Sequence, residues 1–361
     1  MTGKNAHSAL KAIVNDAGNV PLSWAGSTRA MDYLNLGDAL SPVVVALCCG
    51  LPIERVPARS RRPRLAAAGT IGHGMEGGVV WVWGSGSSNV RNPGAPAEQR
   101  VPYRPPTNTE MILCATRGPI SHALLRGGPP ASDAVYGDPI WLLRRFYQPA
   151  VEKRWELGVV LHLSELADRA TEAHPLPSHL RYLIPDDLSH AVALINTVTS
   201  ISPEAMRRRI DDILACKRIV STSLHGIVLA ESYRIPCLYF APHGETRGPA
   251  TVPLTVGSRL DLRFIDLYRG FGLDRLRVYV QPRSEYTDWD ALIRAIDEAW
   301  RPVSTDEDAL MAALPLELKL LAAPQGQTVF EHPLIMGLRF QHDVAELVRK
   351  DRMQGPLRLP I

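Results

Sequence analysis

The 361-residue sequence is poor in several things that would fix its class at once. It has no run of apolar residues near the ~20 that a membrane-spanning helix needs. Its N-terminus, "MTGKNAHSALKAIVNDAG", has no apolar core of a secretory signal, so no signal peptide is read. There is no internal repeat and no low-complexity tract. Five cysteines (Cys48, Cys49, Cys114, Cys216, Cys237) form no C-x-x-C pair, which argues for reduced, buried thiols in a cytosol rather than a disulfide framework or zinc site. No metal-ligand spacing such as H-x-x-x-H occurs, and no metal is expected. Charge is also scarce: a net +3 and a pI near 8.6 are too weak to indicate a nucleic-acid partner. Lysine supplies only six of the 40 basic residues, leaving 34 arginines. Arginine is the better fork for carboxylate and phosphate, although coding bias explains most of such an excess.

What is present is punctuation and alternation. The 27 glycines and 30 prolines are scattered between short apolar segments. In the first part, "VPLSWAG" (20–26) and "RPRLAAAGTIGH" (62–73) hold strand candidates. "NLGDALSPVVVALCCGLPI" (35–53) reads as a polar turn opening a helix, with Asp38 or Ser41 near its start and Pro42 in its first turn. "GGVVWVWGSGSS" (77–88) is a strand from Val79 to Trp83 running into a glycine-rich turn. "TEMILCATRGPISHALLRGG" (109–128) is a strand, a turn, and a helix with Pro119 at its first position. The pattern restarts near residue 150. "ELGVVLHLSE" (156–165) is a buried strand ending at His162, "LRYLIP" (180–185) reads as a strand and "HAVALINTV" (190–198) as a short helix. "SPEAMRRRIDDILACKRIV" (202–220) is a helix capped by Ser202 with Pro203 at N1. This alternation predicts two α/β domains with mostly parallel sheets, residues 1–152 and 153–303. A helical, amphipathic tail is expected over 304–361, docked on its own protein, with lipid contact as the alternative.

The richest segment is "CKRIVSTSLHGIVLAESYRIPCLYF" (216–240): a buried strand, a polar turn, a helix and another strand. In an open parallel sheet, ligands sit at the carboxyl ends of the strands. The turn "STSLHG" would offer a helix N-terminus and three hydroxyls, from Ser221, Thr222 and Ser223, to an anion. His225 at the same rim can donate to that anion or move a proton. Gly226 permits close approach. The plainer alternative is a capped helix with a structural histidine.

The segment resembles the signature of the polysaccharide pyruvyl transferase family: a buried strand, a Ser-Leu-His-Gly turn, a helix and an "x-I-P" strand. Further short motifs fall in the family's order over roughly residues 30–275: "NLGDALSP" (35–42), "VWGSGSS" (82–88), "ATRGPISHALL" (115–125), "YGDPIWLL" (136–143) and "RFIDLYRGFG" (263–272), the last with Leu267 where an aromatic is common. The resemblance implies two Rossmann-like domains arranged as in glycosyltransferase-B enzymes. It also implies transfer of a pyruvyl group from phosphoenolpyruvate to a hexose of an exopolysaccharide or its lipid-linked precursor, giving a cyclic ketal, usually 4,6-linked, and phosphate. Phosphoenolpyruvate is then a co-substrate, and no cofactor is expected.

On this resemblance His225 is the first choice for acid/base work and Asp38 for deprotonating a sugar hydroxyl. Arg117 would clamp the donor with Ser221, Thr222, Ser223, Leu224 and Gly226. Asn35, Gly84, Ser85 and Gly86 would face the acceptor. Each has a plain alternative: Asp38 and Asn35 as turn and cap residues, Arg117 as a structural arginine. Family members can carry arginine where this chain has Ser223, which raises Lys217 and Arg218 as displaced anion contacts, although both lie at the strand's start. His162, His243 and Glu245 are reserves at strand ends, and His73 lies in a turn. The competing functions are a glycosyltransferase with a nucleotide-sugar donor, which needs an acidic ribose contact not evident in the turn, and a non-catalytic carbohydrate-binding protein. Expected partners are phosphoenolpyruvate and a saccharide, with no nucleic acid. The expected location is the cytoplasm, peripheral to the inner membrane face where the acceptor is lipid-linked.

Overall fold

The structure is a computed structural model that describes residues 3–244 and 246–354, with the side chains of residues 3–7 excluded. Glu245 therefore lies outside the described residues. The molecule is mixed α/β and Rossmann-like, with mostly parallel sheets. It divides into two compact units. The first holds the chain up to Asp32, Asp38–Phe146 and what is described from Thr305 on; the second holds Tyr33–Gly37 and Tyr147–Ser304. Among the described residues no helix is long and apolar enough to cross a membrane.

In the first unit five parallel strands lie in the order Ile53–Arg55, Val20–Ser23, Arg64–Ala66, Gly78–Ser85 and Thr109–Thr116. Trp81 and Trp83 are fully buried in the Gly78–Ser85 strand, and Val80 and Val82 pack with Ala66, Met75 and Leu125. The helix Leu36–Cys49 starts earlier than its prolines and caps suggest, so Pro42 is interior rather than in the first turn. Pro42 has no N–H to give the carbonyl of Asp38, the residue four before it. Pro119 does open its helix, Pro119–Arg126, and Gly127 closes it at φ +73°.

Residues from Thr305 on belong to the first unit. Trp83 Nε1 donates to Leu310 O at 2.8 Å, and Arg145 holds Glu307 at 2.6 Å. The stretch 306–324 is helical only over Glu307–Ala312, because Pro315 ends the pattern and Leu316–Pro324 has no regular structure. Short helices return at Pro333–Met336 and Val344–Gln354.

The second unit has a six-stranded sheet in the order Gly248–Pro253, Arg275–Val280, Cys237–Ala241, Ile219–Ser221, Leu157–Leu161 and Val192–Asn196. All neighbours are parallel except the first pair. Ser202 caps the helix Pro203–Leu214 through the amide of Ala205 at 3.0 Å, with Pro203 at N1 as the sequence predicts. Two expectations are overturned. Residues 190–198 hold a strand, Val192–Asn196, paired with Leu157–Leu161, where a helix was expected; the β-branched Val192 and Ile195 complete the sheet edge. Residues 180–185 hold a 3-10 turn, Leu180–Tyr182, where a strand was expected; the inward pull of Arg181 on Glu165 breaks the extended run.

Candidate functional site

At the carboxyl edge of the second sheet, the strand Ile219–Ser221 hands over to the helix Leu224–Ser232. Ser221 Oγ lies 2.9 Å from Val160 O and accepts from the amide of Ser223 at 2.9 Å, so this hydroxyl stitches the turn to the neighbouring strand. Ser223 caps the helix, its Oγ 3.4 Å from the Gly226 amide. Thr222 Oγ1 accepts from the amide of His162 at 2.9 Å. Gly226 is required here: a Cβ would sit 2.5 Å from Ser221 Oγ and 2.8 Å from Val160 Cγ1. Leu224 is 2% exposed and anchors the helix in the core, while His225 is 9% exposed, at the helix's first turn.

The imidazole of His225 lies directly over Gly37. A Cβ on Gly37 would be 1.7 Å from Nδ1 and 2.3 Å from Cγ of the ring. Gly37 therefore has no side chain because the histidine occupies that space. Asn35 arrives in the same unit on the two-residue strand Leu34–Asn35, paired antiparallel with Val198–Thr199, and Leu36 N donates to Thr197 O. Two motifs 188 positions apart in the chain are thus interlocked.

His162, next along the same edge, is the second histidine of the cluster. Its Nε2 is 3.0 Å from Arg263 Nη1, and its Nδ1 is 2.9 Å from Ser164 Oγ. Arginine can only donate, so Nε2 turns a lone pair toward it and the ring is uncharged, while Nδ1 sits beside Ser164 Oγ and, at 3.2 Å, the Ser164 amide. Burial and then the Arg263 cation push its pKa down to about 4. Arg263 is held in turn by both carboxylate oxygens of Asp261. Behind it, Glu165 is 2% exposed and binds the fully buried Arg181 at 2.5 Å, Arg283 at 2.8 Å and the hydroxyl of Tyr182 at 2.7 Å. The hydrogen bond from Arg283 and the charge of Arg181 outweigh burial and hold the Glu165 carboxyl near 2. Arg181 lies 4.8 Å from both the Tyr182 and Phe240 rings.

The first unit gathers its own set at the carboxyl edge of its sheet. Arg117, 1% exposed, follows the strand Thr109–Thr116 and donates to Thr70 Oγ1 at 2.8 Å. Gly86 lies flat against this guanidinium: a Cβ there would be 2.2 Å from Arg117 Cζ. Gly86 N bonds Gly69 O at 2.9 Å, and a Cβ on Gly69 would be 3.3 Å from Asp38 Oδ1. Asp38, Gly69, Thr70, Gly86 and Arg117 thus meet. Gly84 and Ser85 lie beside this set. Gly84, at φ +78°, leaves room for Pro139, whose Cδ would be 2.2 Å from a Cβ there, and Ser85 is fully buried with its Oγ 3.4 Å from Gly69 O. Asp138 of "YGDP" accepts from the Ile140 amide and caps the turn that carries Pro139.

Lys217 and Arg218 are ion-paired with Glu156 and Asp297 at the strand's start and take no part in either cluster. His73 accepts from the Ser88 amide at 3.3 Å. His243 follows the strand Cys237–Ala241. Sequence reading missed Gly37 as the seat of His225, Thr70 as the rest for Arg117, and the Arg263–His162 and Glu165–Arg181–Arg283 groups. The only sequence signals for them were "AGT" after a strand and the arginine that opens "RFIDLY". Among the described residues no group of three His, Cys, Asp or Glu is placed to hold a metal ion. No protein-family model, no curated protein and no solved structure matches the chain.

Proposed function

We propose that the chain transfers a pyruvyl group from phosphoenolpyruvate to a hexose of an exopolysaccharide or its lipid-linked precursor. The glycosyltransferase-B-like arrangement implied by the resemblance belongs to the same proposal. The observation that carries it is the seating of His225 on Gly37. It joins the Ser-Leu-His-Gly turn and the Asn-x-Gly-Asp motif, two of the elements on which the resemblance rests, around one titratable ring at a helix N-terminus.

In this reading His225 gives a proton to the methylene carbon of phosphoenolpyruvate. C2 becomes electrophilic and a sugar hydroxyl attacks it, losing its proton to Asp38. A second hydroxyl then displaces phosphate from the same carbon, closing the ketal; its proton returns to His225, and the departing phosphate takes the proton held by Asp38. Arg117, held by Thr70 and Gly86, suits a planar carboxylate or a phosphate. The helix end at Ser223–Gly226 suits the other anionic group. Asn35 orients the acceptor.

The test is phosphate release from phosphoenolpyruvate by the purified chain, with hexosides bearing free O4 and O6, beside His225→Ala and Arg117→Ala. Acceptor-dependent release that disappears in His225→Ala is expected. Failure to bind phosphoenolpyruvate, with a nucleotide sugar bound instead, would replace this reading with a glycosyltransferase. Saccharide binding without either donor would point to a carbohydrate-binding protein.

A further inference from the structure

The helix Leu224–Ser232 has His225 in its first turn and Glu231 in its last. Beside Glu231, where the strand Cys237–Ala241 begins, a pocket of about 270 Å³ opens in the second unit. It is thus at the amino edge of the sheet, opposite the histidine cluster. Glu231, 2% exposed, is at its floor, held by Tyr268 at 3.0 Å and by the Trp300 indole N–H at 3.2 Å. Arg275, Arg277 and Arg301 line its mouth.

These three arginines differ from the ion-paired ones. Arg145, Arg154, Arg218 and Arg283 each have a carboxylate partner. Among the described residues no carboxylate lies within ion-pair distance of Arg275, Arg277 or Arg301, which bond only to backbone carbonyls. Arg275 donates to Thr251 O, Arg277 to Ala299 O, and Arg301 to Glu298 O and Trp300 O. Two of these bonds serve the end of the helix Trp289–Ala299, which explains where the side chains rest. They leave the charge uncompensated and most of each guanidinium's five donors unused. Arg275 and Arg277 alternate with the buried Leu276 and so share one face of their strand. The Trp300 indole adds a flat wall on which an arginine can stack.

We propose that this pocket binds a compact organic polyanion, a phosphate ester or a polycarboxylate, between Arg275, Arg277 and Arg301 and against Trp300. Its volume equals that of roughly nine waters, which suits a small metabolite. The site is separate from the proposed reaction and does not depend on it.

The floor adds a pH signature. Burial raises the Glu231 carboxyl to about 7, against the hydrogen bonds of Trp300, Tyr268 and Cys237. Tyr268 and Cys237, the other titratable groups there, are themselves raised by burial and stay neutral. An anion over Glu231 favours its protonated form. For a given charge state of the ligand, binding therefore strengthens as pH falls through about 7, and in Glu231→Gln only the ligand's own titration remains.

Calorimetric titration of the full chain with inorganic pyrophosphate and with citrate tests this. Saturable binding with Kd at or below about 1 mM is expected, quenching tryptophan fluorescence and raising the melting temperature. Arg275→Gln with Arg277→Gln should weaken it at least about tenfold per arginine. The matching Arg→Lys pair should retain most of it, which separates lost charge from lost folding. His225→Ala should leave it unchanged. No binding of either probe up to about 10 mM, or full affinity in the Arg→Gln pair, would overturn the proposal. Loss of binding in His225→Ala would move the anion to the other edge of the sheet and overturn it equally.

Discussion

Gly37→Ala is the sharpest probe of the histidine's position. The added Cβ would lie 1.7 Å from Nδ1, 2.3 Å from Cγ and 2.6 Å from Cε1 of His225. Carbon contacts settle near 3.5–4.0 Å, so the ring must retreat by roughly 2 Å. Overpacking of this kind typically costs about 1–3 kcal/mol. Against it stands the usual gain of up to about 1 kcal/mol for replacing glycine by alanine in a helix. In wild type the clash should win. With His225→Ala the obstruction is gone, only the helix gain remains, and the same substitution should turn neutral or stabilising. A double-mutant cycle by urea denaturation of the four proteins should give a coupling of about 1–3 kcal/mol. Anion binding at the turn should weaken in Gly37→Ala alone, because the ring has been pushed off its seat. Simple additivity in the cycle would refute the placement.

Three further outcomes follow from the same geometry. Gly86→Ala should force Arg117 off Thr70, costing about 1–3 kcal/mol and lowering phosphoenolpyruvate-dependent phosphate release; its effect should not add to that of Arg117→Ala, and additivity in the assay would contradict the contact. Glu165→Gln leaves the fully buried Arg181 without its anion and should cost about 3–5 kcal/mol in urea denaturation, whereas a loss below about 1 kcal/mol would show the network to be dispensable. For Glu231 the folded pKa, about 7, lies above the unfolded value near 4.3, so its contribution is complete below about pH 4 and is lost as pH rises through about 7. The urea midpoint of wild type should fall between about pH 5 and 8 relative to Glu231→Gln, and parallel profiles would exclude a buried titrating carboxyl.

The α/β alternation was legible because buried parallel strands and capped helices leave local marks: Ser202-Pro203 before a helix, Pro119 opening another, the valine-tryptophan run of 79–83. Errors arose where tertiary partners decide. Residues 190–198 are too short for periodicity to separate strand from helix, and the sheet edge settles it. Residues 180–185 look extended until Glu165 claims Arg181. The turn at 221–226 announced itself, since part of its bonding is local: Ser221 Oγ takes the Ser223 amide and Ser223 Oγ the Gly226 amide. Gly37 and Thr70 did not, because what they touch is set by strand order. Arg64 shows the limit among 34 arginines: it is fully buried, with its guanidinium on five backbone carbonyls, and nothing in its sequence neighbourhood separates it from Arg117.

The seat beneath His225 also makes chemical complementation feasible. Because residue 37 presents only backbone, shortening His225 to glycine would leave an imidazole-sized vacancy bounded below by Gly37. Free imidazole added to such a protein has a moulded place to lodge. A series of ring-substituted imidazoles then turns one position into a dial for proton affinity at nearly constant shape. Rates that follow the guest's basicity would mark a proton in flight, and rates that follow only its fit would mark a wedge.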